Sequence, residues 1–314
     1  LKGLYIKHVS SDPSNLIAGQ IWYNTTTQTI KVAPLIGAWA SGGNLSTARG
    51  FIAGAGTQTA AIGGGGYTAP GDDAETGLSE EYNGSAWSEG NNINTARRSA
   101  AGCGTQTAAL CISGKSSSPD TVNVESYDGT NWTEIANVNT ARRNMAAAGI
   151  QTAAITFGGD NDGTFAETWD GSSWTEVANM NTGRDALGGA GTQTAAIAFG
   201  GAPYLGVSEE WNGTAWAEGN NLNTARNRLA GAGVTVETAL SFLGKTSPPA
   251  AFSAATEGYD GTSWAAKPSA ATARGYVAGC GTGTTALAFG GWNTQGLATE
   301  EFTSVATTRS VDTT

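Results

Sequence analysis

The sequence predicts an all-β fold: a six-bladed β-propeller of four-stranded blades, closed by pairing its N-terminal and C-terminal strands. Three observations predict it. A unit of 42 to 48 residues recurs along the chain, each unit carries signals for four short strands, and the two ends of the repeat region hold the missing parts of one unit. The period shows in a tripeptide around arginine: Thr47-Ala48-Arg49, Thr95-Ala96-Arg97, Thr140-Ala141-Arg142, Thr182-Gly183-Arg184, Thr224-Ala225-Arg226 and Thr272-Ala273-Arg274. Ten residues before each arginine stands a tryptophan, namely Trp39, Trp87, Trp132, Trp174, Trp216 and Trp264. Repeats of this length with four strands apiece are the signature of propeller blades.

The first strand of each unit is small, as in Ala53-Gly54-Ala55-Gly56, because six innermost strands crowd one axis. Cys103 and Cys280 fall at the position of Ala55, Ala148, Ala190 and Ala232, so they read as small core residues. A turn such as Thr57-Gln58-Thr59 leads into an apolar second strand ending in Gly-Gly, as in Ala154 to Gly159. The third strand carries a glutamate and an aromatic two apart, hence on one face: Glu80/Tyr82, Glu125/Tyr127, Glu167/Trp169, Glu209/Trp211, Glu257/Tyr259 and Glu300/Phe302. Asn-Gly or Asp-Gly, as at Asn83-Gly84 and Asp128-Gly129, then turns the chain into the fourth strand at tryptophan. A fourth-type strand comes first in the chain, at Trp39, and a third-type strand comes last, at Glu300 to Phe302. Their pairing completes the sixth blade and removes a free edge. Residues 1–35 are expected to form a connector with a β-hairpin over 20–33, residues 36–303 the ring, and residues 304–314 a polar tail or a strand passing to a neighbour.

The glycine doublet, the acidic residue before Tyr-Asp, the tryptophan and the arginine resemble the kelch repeat over roughly residues 36–303. Four units keep the full doublet (Gly65-Gly66, Gly158-Gly159, Gly200-Gly201, Gly290-Gly291); the others have Ser113-Gly114 and Leu243-Gly244. The resemblance implies a propeller used as a binding platform. Gly19-Gln20-Ile21-Trp22-Tyr23-Asn24-Thr25-Thr26, with Ile30-Lys31-Val32, is similar to segments of bacteriophage tail-fibre-like proteins that lead into a repetitive distal domain. The blades also resemble phage-encoded kelch-like proteins.

Composition narrows the partners. The net charge is −10, which argues against nucleic acid and anionic membrane surfaces, both of which need clustered Lys and Arg. No apolar run is long enough for a transmembrane helix, and three cysteines are not a disulfide framework.

Length variation isolates a face. From arginine to the second doublet glycine the distance is 17 residues, or 18 in the fifth unit, whereas from that glycine to the glutamate it is 14, 11, 8, 8, 13 and 9. The loop between strands two and three therefore varies on a constant scaffold, which marks its face for binding. These loops hold Tyr67, Asp72, Asp73, Lys115, Asp160, Asp162, Tyr204, Lys245 and Trp292. The residue after each repeated arginine varies too: Gly50, Arg98, Arg143, Asp185, Asn227 and Gly275. Aromatics mixed with Asp, Asn and Arg suit sugar recognition.

The repeated sets Arg49, Arg97, Arg142, Arg184, Arg226, Arg274 and Glu80, Glu125, Glu167, Glu209, Glu257, Glu300 read as structural ion pairs that satisfy loop backbone. Catalysis finds little support. The one histidine, His8, lies outside the ring, which argues against zinc or a His-based nucleophile. Asp128-Gly129-Thr130-Asn131-Trp132 lacks the spacing of a sialidase Asp-box. Asp160-Asn161-Asp162-Gly163 has only the first half of a calcium loop. No catalytic residue, metal or cofactor is expected. The sequence-level reading is a non-enzymatic virion-surface protein, of tail-fibre or decoration type, that docks on other virion proteins through its N-terminal segment. It would recognise host surface glycan or protein, without nucleic acid or membrane insertion. The alternatives are a secreted or cellular kelch-type interaction module and a lectin-like glycosidase.

Overall fold

The computed structural model describes residues 6–17, 19–33, 35–68, 74–117, 119–292 and 296–311. The chain forms two compact units, Leu1–Ala38 with Thr303–Thr314, and Trp39–Phe302.

The larger unit is all-β and consistent with a propeller-like arrangement. Its described residues build six four-stranded sheets, here I to VI in chain order of their first strands. Sheet I runs Ala53–Thr57, Ala60–Gly64, Ser79–Tyr82 and Trp87–Glu89. Sheet II runs Ala101–Thr105, Ala108–Ile112, Val124–Tyr127 and Trp132–Ile135, and sheet III Ala146–Ile150, Ala153–Phe157, Ala166–Trp169 and Trp174–Glu176. Sheet IV runs Gly188–Gly191, Ala196–Phe199, Ser208–Trp211 and Trp216–Gly219, and sheet V Ala230–Ala232, Leu240–Phe242, Thr256–Tyr259 and Trp264–Lys267. In sheet VI the order is Ala278–Gly281, Thr285–Phe289, Thr299–Ala306 and Leu35–Ser41, so strands from the two ends of the repeat region are neighbours.

Burial explains the packing. Second strands are buried almost throughout, whereas first strands alternate. Each apolar cluster joins one sheet to the next. Ala55 and Ile62 of sheet I meet Cys111, Tyr127 and Trp132 of sheet II, and Leu287 and Phe289 of sheet VI meet Tyr82 and Trp87 of sheet I. Burying an aromatic or aliphatic side chain this fully contributes about 1.5–3 kcal/mol. First strands pack on one another in sequence, the strand of sheet VI against that of sheet I included. The approach is backbone to backbone: a Cβ on Gly102 would stand 2.5 Å from the Gly54 carbonyl oxygen. Cys103 and Cys280 are buried, and burial pushes both thiols up to about 12.

The hairpin turns between strands three and four share one device. The Oδ1 of Asn83, Asp128, Asp170, Asn212 and Asp260 accepts two backbone N–H groups of its own turn. The extra residue of the fifth unit is absorbed by a 3-10 turn, Val236–Thr238, in place of Thr-Gln-Thr.

The smaller unit is a four-stranded sheet. The hairpin Ile21–Asn24 and Thr29–Val32 pairs on one side, in parallel, with Lys7–Val9, and on the other, antiparallel, with Arg309–Ser310. Residues near the C-terminus thus contribute a strand within the same chain. Asp12 organises this unit, accepting from Trp22 Nε1 at 3.0 Å and Asn24 Nδ2 at 2.8 Å. These bonds hold its carboxyl below the usual range.

Candidate functional site

The six repeated arginines are buried and each meets its glutamate: Arg49–Glu80 at 2.8 Å, Arg97–Glu125 at 2.5 Å, Arg142–Glu167 at 3.2 Å, Arg184–Glu209 at 2.5 Å, Arg226–Glu257 at 2.9 Å and Arg274–Glu300 at 2.6 Å. Each glutamate also accepts, at 2.6–2.7 Å, from a backbone N–H three residues before its arginine, at Ser46, Asn94, Asn139, Asn181, Asn223 or Ala271. In four units that residue is asparagine, whose side-chain nitrogen also donates to the carbonyl of the fourth-strand tryptophan. The backbone N–H ties each of the six crossovers to the glutamate of the sheet it enters, the Asn-Thr-x-Arg motif adds a second tie in four of them, and these charges are engaged with one another.

Two residues after each arginine the backbone turns left-handed. Phe51, Ser99, Asn144, Ala186, Arg228 and Tyr276 all have φ between 52° and 63°. Their backbones form a cycle of hydrogen bonds at 2.8–3.0 Å: Ser99 donates to Phe51, Asn144 to Ser99, Ala186 to Asn144, Arg228 to Ala186, Tyr276 to Arg228, and Phe51 to Tyr276. The cycle rims a cavity of about 140 Å³. A second cavity, of about 120 Å³, reaches toward the Thr-Gln-Thr turns, and the two share Gly54, Gly102, Ala147, Gly189, Gly231 and Gly279 in their walls. Left-handed geometry costs an ordinary residue about 1 kcal/mol and favours glycine or asparagine. Here one position is asparagine, none is glycine, and three carry Phe, Arg and Tyr.

The variable loops surround this rim. The residue after each arginine pairs through its backbone with the residue after the doublet, as in Gly50–Tyr67, Arg98–Lys115, Arg143–Asp160 and Gly275–Trp292. Tyr67 and Trp292 stack, with centroids 5.8 Å apart and planes at 14°. Both lie against Phe51, which meets Tyr276 at 4.4 Å. Two guanidinium groups flank the cluster: Arg98 sits 4.2 Å over Tyr67 and Arg228 4.4 Å over Tyr276, and both come within 6.0 Å of the Phe51 ring. Arg98 also reaches Glu75 at 3.5 Å.

The other expected residues lie apart from this cluster. Arg143 bridges Asp120 at 2.9 Å and Asp160 at 3.2 Å. Burial, together with neighbouring Asp120, raises the Asp160 carboxyl above its ordinary value, against the opposing backbone N–H and charge of Arg143. Asp162 is exposed and accepts from the Thr164 hydroxyl, so the two aspartates of the half calcium loop do not converge. Asp185 accepts from Asn144 Nδ2 at 3.1 Å. Tyr204 is half-buried in the loop after sheet IV's second strand, and Asp72 and Asp73 lie outside the described residues.

Sequence reasoning placed attention one residue early, on the position after each arginine. The rim position, one further on, holds Phe, Ser, Asn, Ala, Arg and Tyr, six different residues inside a near-constant repeat. That internal variation was the available signal. Comparison with protein-family models and with curated proteins finds no match for this chain.

Proposed function

We propose that Trp39–Phe302 is a closed six-bladed β-propeller of kelch-like repeats that binds its partner, without catalysis, at the rim formed by Phe51, Ser99, Asn144, Ala186, Arg228 and Tyr276. One observation carries this reading: a uniform, strained backbone cycle displays six different side chains around a cavity, beneath loops of variable length. Strain retained where glycine would relieve it points to side chains kept for a purpose. The cyclic order of the core clusters and the neighbouring end strands of sheet VI support the closed ring. The half-buried aromatic cluster and the mixed polar groups beside it favour a glycan, with host surface polysaccharide as the partner class. The resemblance of residues 19–32 and of the repeats to phage proteins supports a virion-surface role. In that role the smaller unit, with Ile17, Ile21, Val305 and Val311 exposed, is the attachment end.

The test is retention of the labelled chain on a panel of bacterial cells and their extracted polysaccharides. Saturable binding to some strains is expected, with loss in Tyr67→Ala/Trp292→Ala. Absence of binding across the panel, or turnover of a polysaccharide, contradicts the reading.

A further inference from the structure

Resting on that binding reading, we infer that the rim takes an acidic saccharide, with the Arg228 guanidinium receiving the carboxylate of a single sugar residue seated in the cavity. The chain carries 26 acidic against 16 basic residues, so exposed cations are scarce. Six of its arginines are spent in the buried pairs, and Arg143 is held by two aspartates. Yet Arg98 and Arg228 converge on one aromatic ring, Phe51, at 5.8 and 6.0 Å. Arg98 has Glu75 beside it, whereas Arg228 has no carboxylate partner among the described residues. Its guanidinium carbon stands 4.4 Å from the centroid of the Tyr276 ring, and with no hydrogen-bond or ion-pair partner for that side chain among the described residues its N–H groups can take a planar, two-oxygen anion.

The remaining chemistry selects a sugar over a peptide. The Ser99 hydroxyl, the Asn144 amide oriented by Asp185, and the rings of Phe51 and Tyr276 rim a cavity of about 140 Å³. That space suits one ring-shaped group with hydroxyls at its edge and an apolar face, and it is too small for a helix or a folded chain. Among the described residues, Glu75, Asp120 and Asp160 are paired with Arg98 or Arg143, and Asp185 accepts from the Asn144 amide; none of them is paired with Arg228.

The test is titration of the full chain with trigalacturonate, with the same oligosaccharide after carboxyl reduction, and with hexaglutamate. The inference predicts at least tenfold tighter binding of trigalacturonate than of either other probe. Arg228→Gln should abolish that preference, Arg228→Lys should retain part of it, and the Tm of both variants should match wild type. Equal binding of the acidic and reduced oligosaccharides, or an unchanged preference in Arg228→Gln, overturns the inference and leaves the rim as a site for neutral sugar. Tighter binding of hexaglutamate overturns the saccharide assignment. Failure of all three probes overturns the inference; whether the rim binds at all is then decided by the cell panel.

Discussion

The fourth-strand tryptophans show how a single hydroxyl decides whether a buried donor is satisfied. Trp132 donates its indole N–H to Ser79 at 3.3 Å, Trp264 to Ser208 at 3.0 Å, Trp39 to Thr256 at 3.0 Å and Trp87 to Thr299 at 2.9 Å. The equivalent residue facing Trp216 is Ala166, and the Trp216 Nε1 is buried without a partner. An unsatisfied buried donor costs about 1–3 kcal/mol. Ala166→Ser should therefore stabilise the fold by about 1 kcal/mol, read as a higher urea midpoint; an unchanged or lower midpoint would show that the serine cannot reach the indole. The rim supplies a second residue-scale prediction. Ala186 holds φ 53°. Ala186→Gly relieves that strain at some cost in unfolded-chain entropy, for a net gain of about 0.5 kcal/mol in the same assay. A loss of more than 1 kcal/mol would contradict the strain argument.

Within each repeat, the doublet and the ion pair have separate duties. The first doublet position has φ 53–73° and accepts Ser113 or Leu243 in place of glycine, the serine Oγ lying 2.6 Å from the Thr121 carbonyl and 2.7 Å from the Arg142 carbonyl, to one of which its single O–H donates. The second position has φ 103–139°, a region closed to residues with a Cβ, and is glycine in all six units. The ion pairs are buried charges whose loss is expensive. Glu167→Gln leaves the Arg142 charge uncompensated and replaces one of the two oxygens that hold Arg142 and the Asn139 N–H by a donor, so about 3–5 kcal/mol of destabilisation is expected by urea unfolding. A cost under 1 kcal/mol would mean the pair is dispensable. Adjacent sheets are also linked by tyrosines: Tyr82 donates to Glu301, Tyr127 to Glu81 and Tyr259 to Glu210. Burial first, and then these bonds, push Tyr82 up to about 12 and raise the other two as well. The folded state keeps protons that the unfolded chain releases near pH 10. Their contribution is therefore complete below pH 10 and lost as pH climbs through the raised folded-state values, about 12 for Tyr82. Absorbance titration should show these three among the last tyrosines to ionise; if all eight titrate together near pH 10, the links are absent.

For the larger unit as a whole, most of the architecture was legible because the repeat places apolar, glycine and turn residues at fixed intervals. Strand starts at Trp87, Trp132, Trp174, Trp216 and Trp264 coincide with the tryptophan marks, and the Arg–Glu spacing anticipated residues that meet. The rim was not legible. Phe, Arg and Tyr seldom adopt a left-handed backbone, so nothing in their identity announces one. The stacking of Tyr67 on Trp292 joins residues 225 positions apart and appears only once sheets I and VI are neighbours. The strand order of sheet VI makes a prediction. Leu35–Ser41 is the outer strand of sheet VI, so a chain beginning at Gly42 exposes the edge of Thr299–Ala306 and should associate more than one beginning at residue 34. Sedimentation of the two truncations checks this, and equal behaviour would count against the closing strand. The most direct measurement of the binding claim is hydrogen exchange of the chain with and without a surface polysaccharide that retains it. The account predicts slowed exchange in segments 50–52, 98–100, 143–145, 185–187, 227–229 and 275–277 around the rim. Protection confined to the Thr-Gln-Thr turns at the other end, or to the smaller unit, would contradict it.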